Sequence, residues 1–114
     1  MRTVKKPWGH EEIWAETPNY VGKYLHIEPG YRLSRQYHVK KEETLRVISG
    51  KLLLEIGSGE NLVSSVLEAG DVYHVAPGTV HRFCATSEKV VLVEVSTPEL
   101  DDVVRLEDDY ARST

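Results

Sequence analysis

Turn residues interrupt this chain so often that no long helix can be built between them. Thr17-Pro18-Asn19, Pro29-Gly30, Gly50, Gly57-Ser58-Gly59, Ala69-Gly70-Asp71 and Pro77-Gly78 leave only short apolar runs, and none of these carries a sustained 3.6-residue repeat. Short apolar runs bounded by turn residues are the pattern of an all-β protein. The expected strands are Glu11–Glu16, Tyr20–Ile27, Leu33–Val39, Glu43–Ser49, Lys51–Ile56, Leu62–Leu67, a run from Asp71 through Val75, His81–Ala85 and Lys89–Ser96. That is roughly nine, a number that suits a double-sheet jelly roll. Gly57-Ser58-Gly59 reads as a flexible hairpin tip, and the last two strands are expected to pair across Thr86-Ser87-Glu88. Beyond Pro98 the chain turns acidic, with Val103, Val104, Leu106 and Tyr110 interspersed, which predicts either a short helix or an extended arm laid over the strands.

The 114 residues fit one domain, 1–114, able to bury roughly two-thirds of its unfolded surface. A net charge of −4 argues against nucleic acid as a partner. Small anions remain open, because local Arg and Lys clusters act within a Debye length of ~8 Å whatever the net charge. Cys84 is the sole cysteine, so no intrachain disulfide forms, and its apolar setting predicts a buried, inert thiol. Pro7 follows the basic start where a signal peptide would need an apolar run, and no stretch approaches the ~18 apolar residues of a membrane span. The expectation is a cytoplasmic protein that does not enter membranes.

The chemistry concentrates between Glu28 and Gly50. Gln36 and His38 are two apart and so share a face of an extended segment. Glu43 opens the next strand with Leu45 and Val47 on its side. An amide oxygen, an imidazole and a carboxylate on neighbouring strands form an incomplete metal site, and His81, just past the Pro77-Gly78 turn, is the candidate fourth ligand. These donors would leave a divalent ion with a net charge of about +1 and open positions for substrate or water.

Gly30 to Gly50 resembles the first cupin motif, G-x5-H-x-H-x(3,4)-E-x6-G, with Gln36 at the first histidine. Gly70 to His81 resembles the second, G-x5-P-x-G-x2-H-x3-N, with its proline displaced by one to Pro77 and Ala85 in place of the final asparagine. Together with KPWGHEE, PGYRLSRQYH and VVRLEDDYAR, the pattern is similar over nearly the whole chain to the cupin domain of bacterial mannose-6-phosphate isomerases, where it follows a mannose-1-phosphate guanylyltransferase domain. The resemblance implies a cupin double-stranded β-helix with a short C-terminal arm, and Gln36, His38, Glu43 and His81 as ligands of one divalent ion. Zinc fits the resemblance best; Mn, Co, Ni or Fe would accept the same donors. It further implies a homodimer. Where the family has a His-rich QYHHHRAEHW, this chain reads QYHVKKEETL, so Val39 and Leu45 are expected to make the pocket less polar and activity on mannose 6-phosphate weak or absent. His10 lies outside both motifs and is expected to take no part in metal binding.

A chain this short has no room for a nucleotidyltransferase, so the implied function is a stand-alone, metal-dependent isomerase of a mannose 6-phosphate-like sugar phosphate. Two alternatives stay open: another metal-dependent cupin enzyme such as a small dioxygenase, and a non-catalytic sugar-binding or regulatory cupin. Isomerisation needs a proton-moving group with a pKa near the working pH. His26 and His74 qualify by residue type alone, and the base is unassigned. For the phosphate, Lys23, Arg32, Ser34 and Arg105 match the isomerase-like pattern, the arginines being suited to bidentate contact. Arm carboxylates, including Asp101, Asp102, Glu107, Asp108 and Asp109, must then face solvent or pair with bases. Trp8, Trp14, Tyr20, Tyr24, Tyr31, Tyr37 and Tyr73 are expected to serve core packing more than sugar stacking.

Overall fold

The structure, a computed structural model, describes residues 1–111. Its strands are β1 (Arg2–Lys6), β2 (Gly9–Glu16), β3 (Val21–Ile27), β4 (Arg35–Tyr37), β5 (Glu43–Ser49), β6 (Leu52–Ile56), β7 (Val63–Leu67), β8 (Val72–Val75), β9 (His81–Cys84), β10 (Val90–Ser96) and β11 (Val104–Glu107). A single 3₁₀ turn, Gly59–Asn61, tips the β6–β7 hairpin. The strands form two antiparallel sheets, one ordered β1-β2-β3-β10-β5-β8 and the other β11-β4-β9-β6-β7, the double-stranded β-helix. No helix among the described residues is long and apolar enough to cross a membrane.

Strict alternation along each strand decides what lies between the sheets. Leu25 and Ile27 on β3, Leu45 and Val47 on β5, Leu52 and Leu54 on β6, Phe83 on β9 and Val90 and Leu92 on β10 are buried in one cluster, each worth roughly 1.5–3 kcal/mol of apolar burial. Trp8 joins them at 2% exposure, pinning the turn between β1 and β2. Gly50 carries the chain from one sheet to the other at φ +78°. A Cβ there would stand 2.2 Å from the Lys89 carbonyl oxygen, so both the conformation and the close approach require glycine.

Two expectations are corrected and a third is made definite. β1 and β11, the ends of the chain, add two strands; β1 is too charged to be recognised as one. Of the two alternatives for the C-terminal segment the extended arm is the one found, and it goes further than an overlay, pairing as an edge strand, β11 on β4. β9 and β10 do not pair. β9 lies between β4 and β6, and β10 between β3 and β5, because the connection from Thr86 to Lys89 crosses between sheets rather than closing a hairpin.

The outer faces of the sheets differ. Behind the five-stranded sheet, Arg35 bonds Glu55 (2.8 Å), Glu107 (2.6 Å) and the Gly57 carbonyl (3.1 Å), and Arg82, only 2% exposed, donates to the Leu33 carbonyl and to Asp109. Behind the six-stranded sheet, Trp14, Tyr24, Ile48, Val72 and Val95 face solvent. The aromatic expectation is therefore corrected too: Trp8 is core and Tyr73 packs against it, whereas Trp14, Tyr20, Tyr24 and Tyr31 are exposed.

Candidate metal centre

His38, Glu43 and His81 converge inside the barrel, one ligand atom from each lying within 4.8 Å of the others. Alternation brings Glu43 inward beside Leu45 and Val47, and register sets Gln36 directly opposite His81. The Gly78 amide donates to the His38 carbonyl at 2.7 Å, so the Pro77-Gly78 turn ties the strand of one histidine to the approach of the other. Nε2 of His38 and Nε2 of His81 stand 3.5 and 3.4 Å from the same Glu43 oxygen, and Lys41 Nζ stands 3.2 Å from the other.

What holds the imidazoles decides what they can do. His38 Nδ1 meets the Asp102 carbonyl at 2.6 Å, and His81 Nδ1 meets the Thr79 carbonyl at 2.9 Å. A carbonyl only accepts, so each Nδ1 carries the proton and each Nε2 turns a lone pair toward Glu43. Lone pairs facing a carboxylate in a dry site need a shared cation or a second proton on each ring. The donor chemistry therefore fits a divalent ion of the Zn, Co, Ni or Fe kind, with carbonyl-anchored imidazoles as outer support. Burial would raise the Glu43 carboxyl, but with a second proton on each ring the His38 and His81 N–H groups, together with the Lys41 ammonium, hold it well below the usual carboxylate range. Gln36 donates Nε2 to Ser34 Oγ at 2.9 Å, leaving its amide oxygen for another partner.

The Asp102 carboxylate holds the ligand loop as well, accepting the amides of Val39, Lys40 and Lys41 at 3.0, 2.7 and 2.8 Å. Those backbone hydrogen bonds lower it to about 2. Of the arm's other acids, Glu107 pairs with Arg35 and Asp109 with Arg32 and Arg82, whereas Asp101 lines the cavity over the cluster, contrary to the expectation that the arm carboxylates face solvent or pair with bases.

A cavity of about 380 Å³ opens over the cluster, lined by Gln36, His38, Glu43 and His81 and, at its sides, by Lys23 and Arg105. Arg105 comes in from β11, in register with Gln36. Arg2 and Lys6 of β1 also line it, cations that sequence reading missed with their strand. Lys23 Nζ is buried against Glu11 at 2.9 Å. Burial works against its ammonium, but Glu94 and Glu11 outweigh it and raise the group above the ordinary lysine range. Ser34 is fully buried and reaches the site through Gln36. Arg32 does not line the cavity: it grips Asp109 in a fork of 2.7 and 3.1 Å, and Tyr110 Oη donates to its carbonyl. The structure thus gives it a partner in the arm rather than a place at the mouth.

Glu94 is the group that sequence reading passed over. It faces inward from β10 into the cavity, its Oε2 has no hydrogen-bond partner among the described residues, and burial, aided by the Glu43 charge, pushes it up to about 8. The signal was a lone carboxylate in the apolar run VVLVEVS. His26 and His74 are excluded from the cavity, since both lie on the outer face of their sheet, His74 paired with Glu42. Val39 is 62% exposed and Leu45 lies in the core; neither lines the cavity, so neither sets its polarity. Cys84 is buried, which pushes its thiol up to about 11 and leaves it inert.

A family profile described as mannose-6-phosphate isomerase C-terminal matches residues 1–108. The chain belongs to that family. Among its relatives are the xanthan biosynthesis protein XanB of Xanthomonas campestris, 29% identical over 116 aligned positions covering 98% of this chain and 24% of that protein, and the mannose-1-phosphate guanylyltransferase ManC of Salmonella typhimurium, 30% identical over 117 positions covering 97% and 23%. The chain spans about a quarter of the length of these relatives. Among solved structures, a protein with a double-stranded β-helix domain from Klebsiella pneumoniae superposes with a TM-score of 0.74 at 25% identity, over 93% of this chain and 85% of that one. The sequence match shows the family, and the superposition shows the double-stranded β-helix fold.

Proposed function

We propose that this chain is a metal-dependent aldose–ketose isomerase of a mannose 6-phosphate-like sugar phosphate. The observation that carries the reading is the convergence of His38, Glu43 and His81 in a cavity that Arg2, Lys6 and Arg105 also line, with Asp101 among them. A divalent ion held by these three and Gln36, zinc by preference, supplies Lewis acidity toward the sugar oxygens. Arg105, with Arg2 and Lys6 beside it, seats the phosphate, the guanidinium offering a bidentate fork. Glu94 moves the proton between adjacent sugar carbons, as a buried carboxyl in the cavity outside the ligand set. Lys23 keeps the wall between them charged and ordered through Glu11.

The test is elemental analysis of freshly purified protein followed by a coupled assay of mannose 6-phosphate to fructose 6-phosphate conversion. Bound divalent metal and turnover abolished by Glu94→Gln are expected. Arg105→Ala should weaken the sugar phosphate about ten-fold, ~1.4 kcal/mol, and leave the unphosphorylated sugar unchanged. Metal-replete protein that turns over no sugar phosphate would overturn the isomerase reading, and oxygen consumption in its place would mark a dioxygenase.

A further inference from the structure

Outside the barrel, on the solvent face of the six-stranded sheet, His10, Glu12 and His26 form a second cluster whose ligand atoms lie within 4.8 Å of one another. We propose that it is a second metal site, for a borderline divalent ion such as Ni²⁺, Zn²⁺, Co²⁺ or Cu²⁺. The inference does not rest on the isomerase reading, since no residue is shared with the inner cluster.

Register builds the site. His10 on β2 and His26 on β3 are directly paired, and directly opposed side chains on antiparallel strands have Cβ atoms about 4.5–5.5 Å apart, a span two imidazoles can bridge to one ion. Glu12 is two residues along β2, on the same face and diagonal to His26. Its Oε1 touches His26 Nε2. The rings are stacked, with centroids 4.2 Å apart and planes 9° from parallel. Holding one ion in the plane of both requires them to hinge apart about χ2, a soft torsion.

The observation that points to a ligand is the convergence of two imidazoles and a carboxylate, one ligand atom from each within 4.8 Å of the others, with Nε2 the nitrogen that His26 turns toward Glu12. Two imidazoles and one carboxylate favour borderline metals over Mg²⁺ or Ca²⁺, which prefer oxygen. Lys5, in register with His10 on β1, is a cation on that face. It is exposed, and its long stem lets the charge stand in water.

The full, untagged chain is titrated with Ni²⁺ in a calorimeter. Two ions per chain are expected for the wild type, and one for His10→Ala and for His26→Ala, each with about 100-fold loss at the outer site. Glu12→Gln should weaken that site about ten-fold, and His38→Ala/His81→Ala should retain one ion. Should that double variant not fold, paramagnetic broadening of ring resonances in the wild type reports the same thing, since the second equivalent of Ni²⁺ must reach His10 and His26. One ion per chain lost in His81→Ala but kept in His26→Ala overturns the outer site alone. Two ions persisting in His26→Ala, or equal binding of Mg²⁺, also overturns it.

Discussion

Two histidine–carboxylate–histidine clusters stand on this chain with the same three donor types and opposite surroundings. In the inner cluster every member is at most 5% exposed and each Nδ1 is committed to a backbone carbonyl, that of His81 to Thr79 two residues away and that of His38 to Asp102 in the C-terminal arm. The outer cluster is half-buried, is drawn from a single strand pair, and leaves one ring nitrogen unmet. The difference teaches that converging donors are cheap on a β-sheet, where register alone supplies them, whereas fixing their tautomers takes a further acceptor for each ring, local for His81 and from the distant C-terminal arm for His38. Such outer support is what distinguishes a site organised before its ion arrives.

The sharpest way to break this contrast is His81→Ala. Removing an anchored ligand should cost about 100-fold or more in metal affinity at the inner site and abolish turnover. It should also cost about 3 kcal/mol of stability, because a buried carboxylate loses a partner. His26→Ala should leave turnover unchanged. Equal loss of activity in the two variants, measured alongside metal content and thermal melting, would erase the distinction.

A second, smaller effect separates inside from outside by pH. In metal-stripped protein the Glu94 carboxyl, raised from an ordinary 4.5 to about 8, binds its proton more tightly folded than unfolded. Its contribution is therefore complete below about 4.5 and lost as pH rises through 8. Asp102 has the opposite sign: lowered from 3.8 to about 2, it contributes above about 4, and the contribution is lost as pH falls toward 2. Melting temperature should fall on both flanks, Glu94→Gln flattening the alkaline side and Asp102→Asn the acid side. An unchanged alkaline flank in Glu94→Gln would mean that this carboxyl is ionised in the folded chain.

The smallest effect belongs to Val39→His, which restores a family residue at a position exposed to solvent. Stability should move by less than about 0.5 kcal/mol and the Michaelis constant for mannose 6-phosphate should not change. A several-fold improvement would return Val39 to the site.

What could be read from the sequence followed the range of each rule. The inward set Gln36, His38, Glu43, Leu45 and Val47 was legible because two-residue alternation fixes faces within a strand. His81 was legible because a motif fixes its distance from a turn. Arg32 could not be placed, since its residue type suits a phosphate and Asp109 equally and only the path of β11 decides. Motif position makes Val39 and Leu45 look like pocket residues, but Val39 faces solvent and Leu45, though it faces inward, packs in the core rather than lining the cavity. The pairing of β9 with β10 failed because closeness in sequence says nothing about a crossover between sheets. Glu94 could have been found by asking why one carboxylate interrupts Val90, Leu92 and Ser96 on a single face.

The path of the last strand also has a consequence in time. A chain is made from its N-terminus, so Gln36, His38, Glu43 and His81 all exist before Asp102 is added. Until that residue docks, His38 Nδ1 has no carbonyl to hold its proton and the amides of Val39, Lys40 and Lys41 have no common acceptor. The nascent barrel thus has its candidate ligands before it can orient them, and, on the metal-site reading proposed above, capture of an ion during synthesis would wait on the arrival of the C-terminal arm.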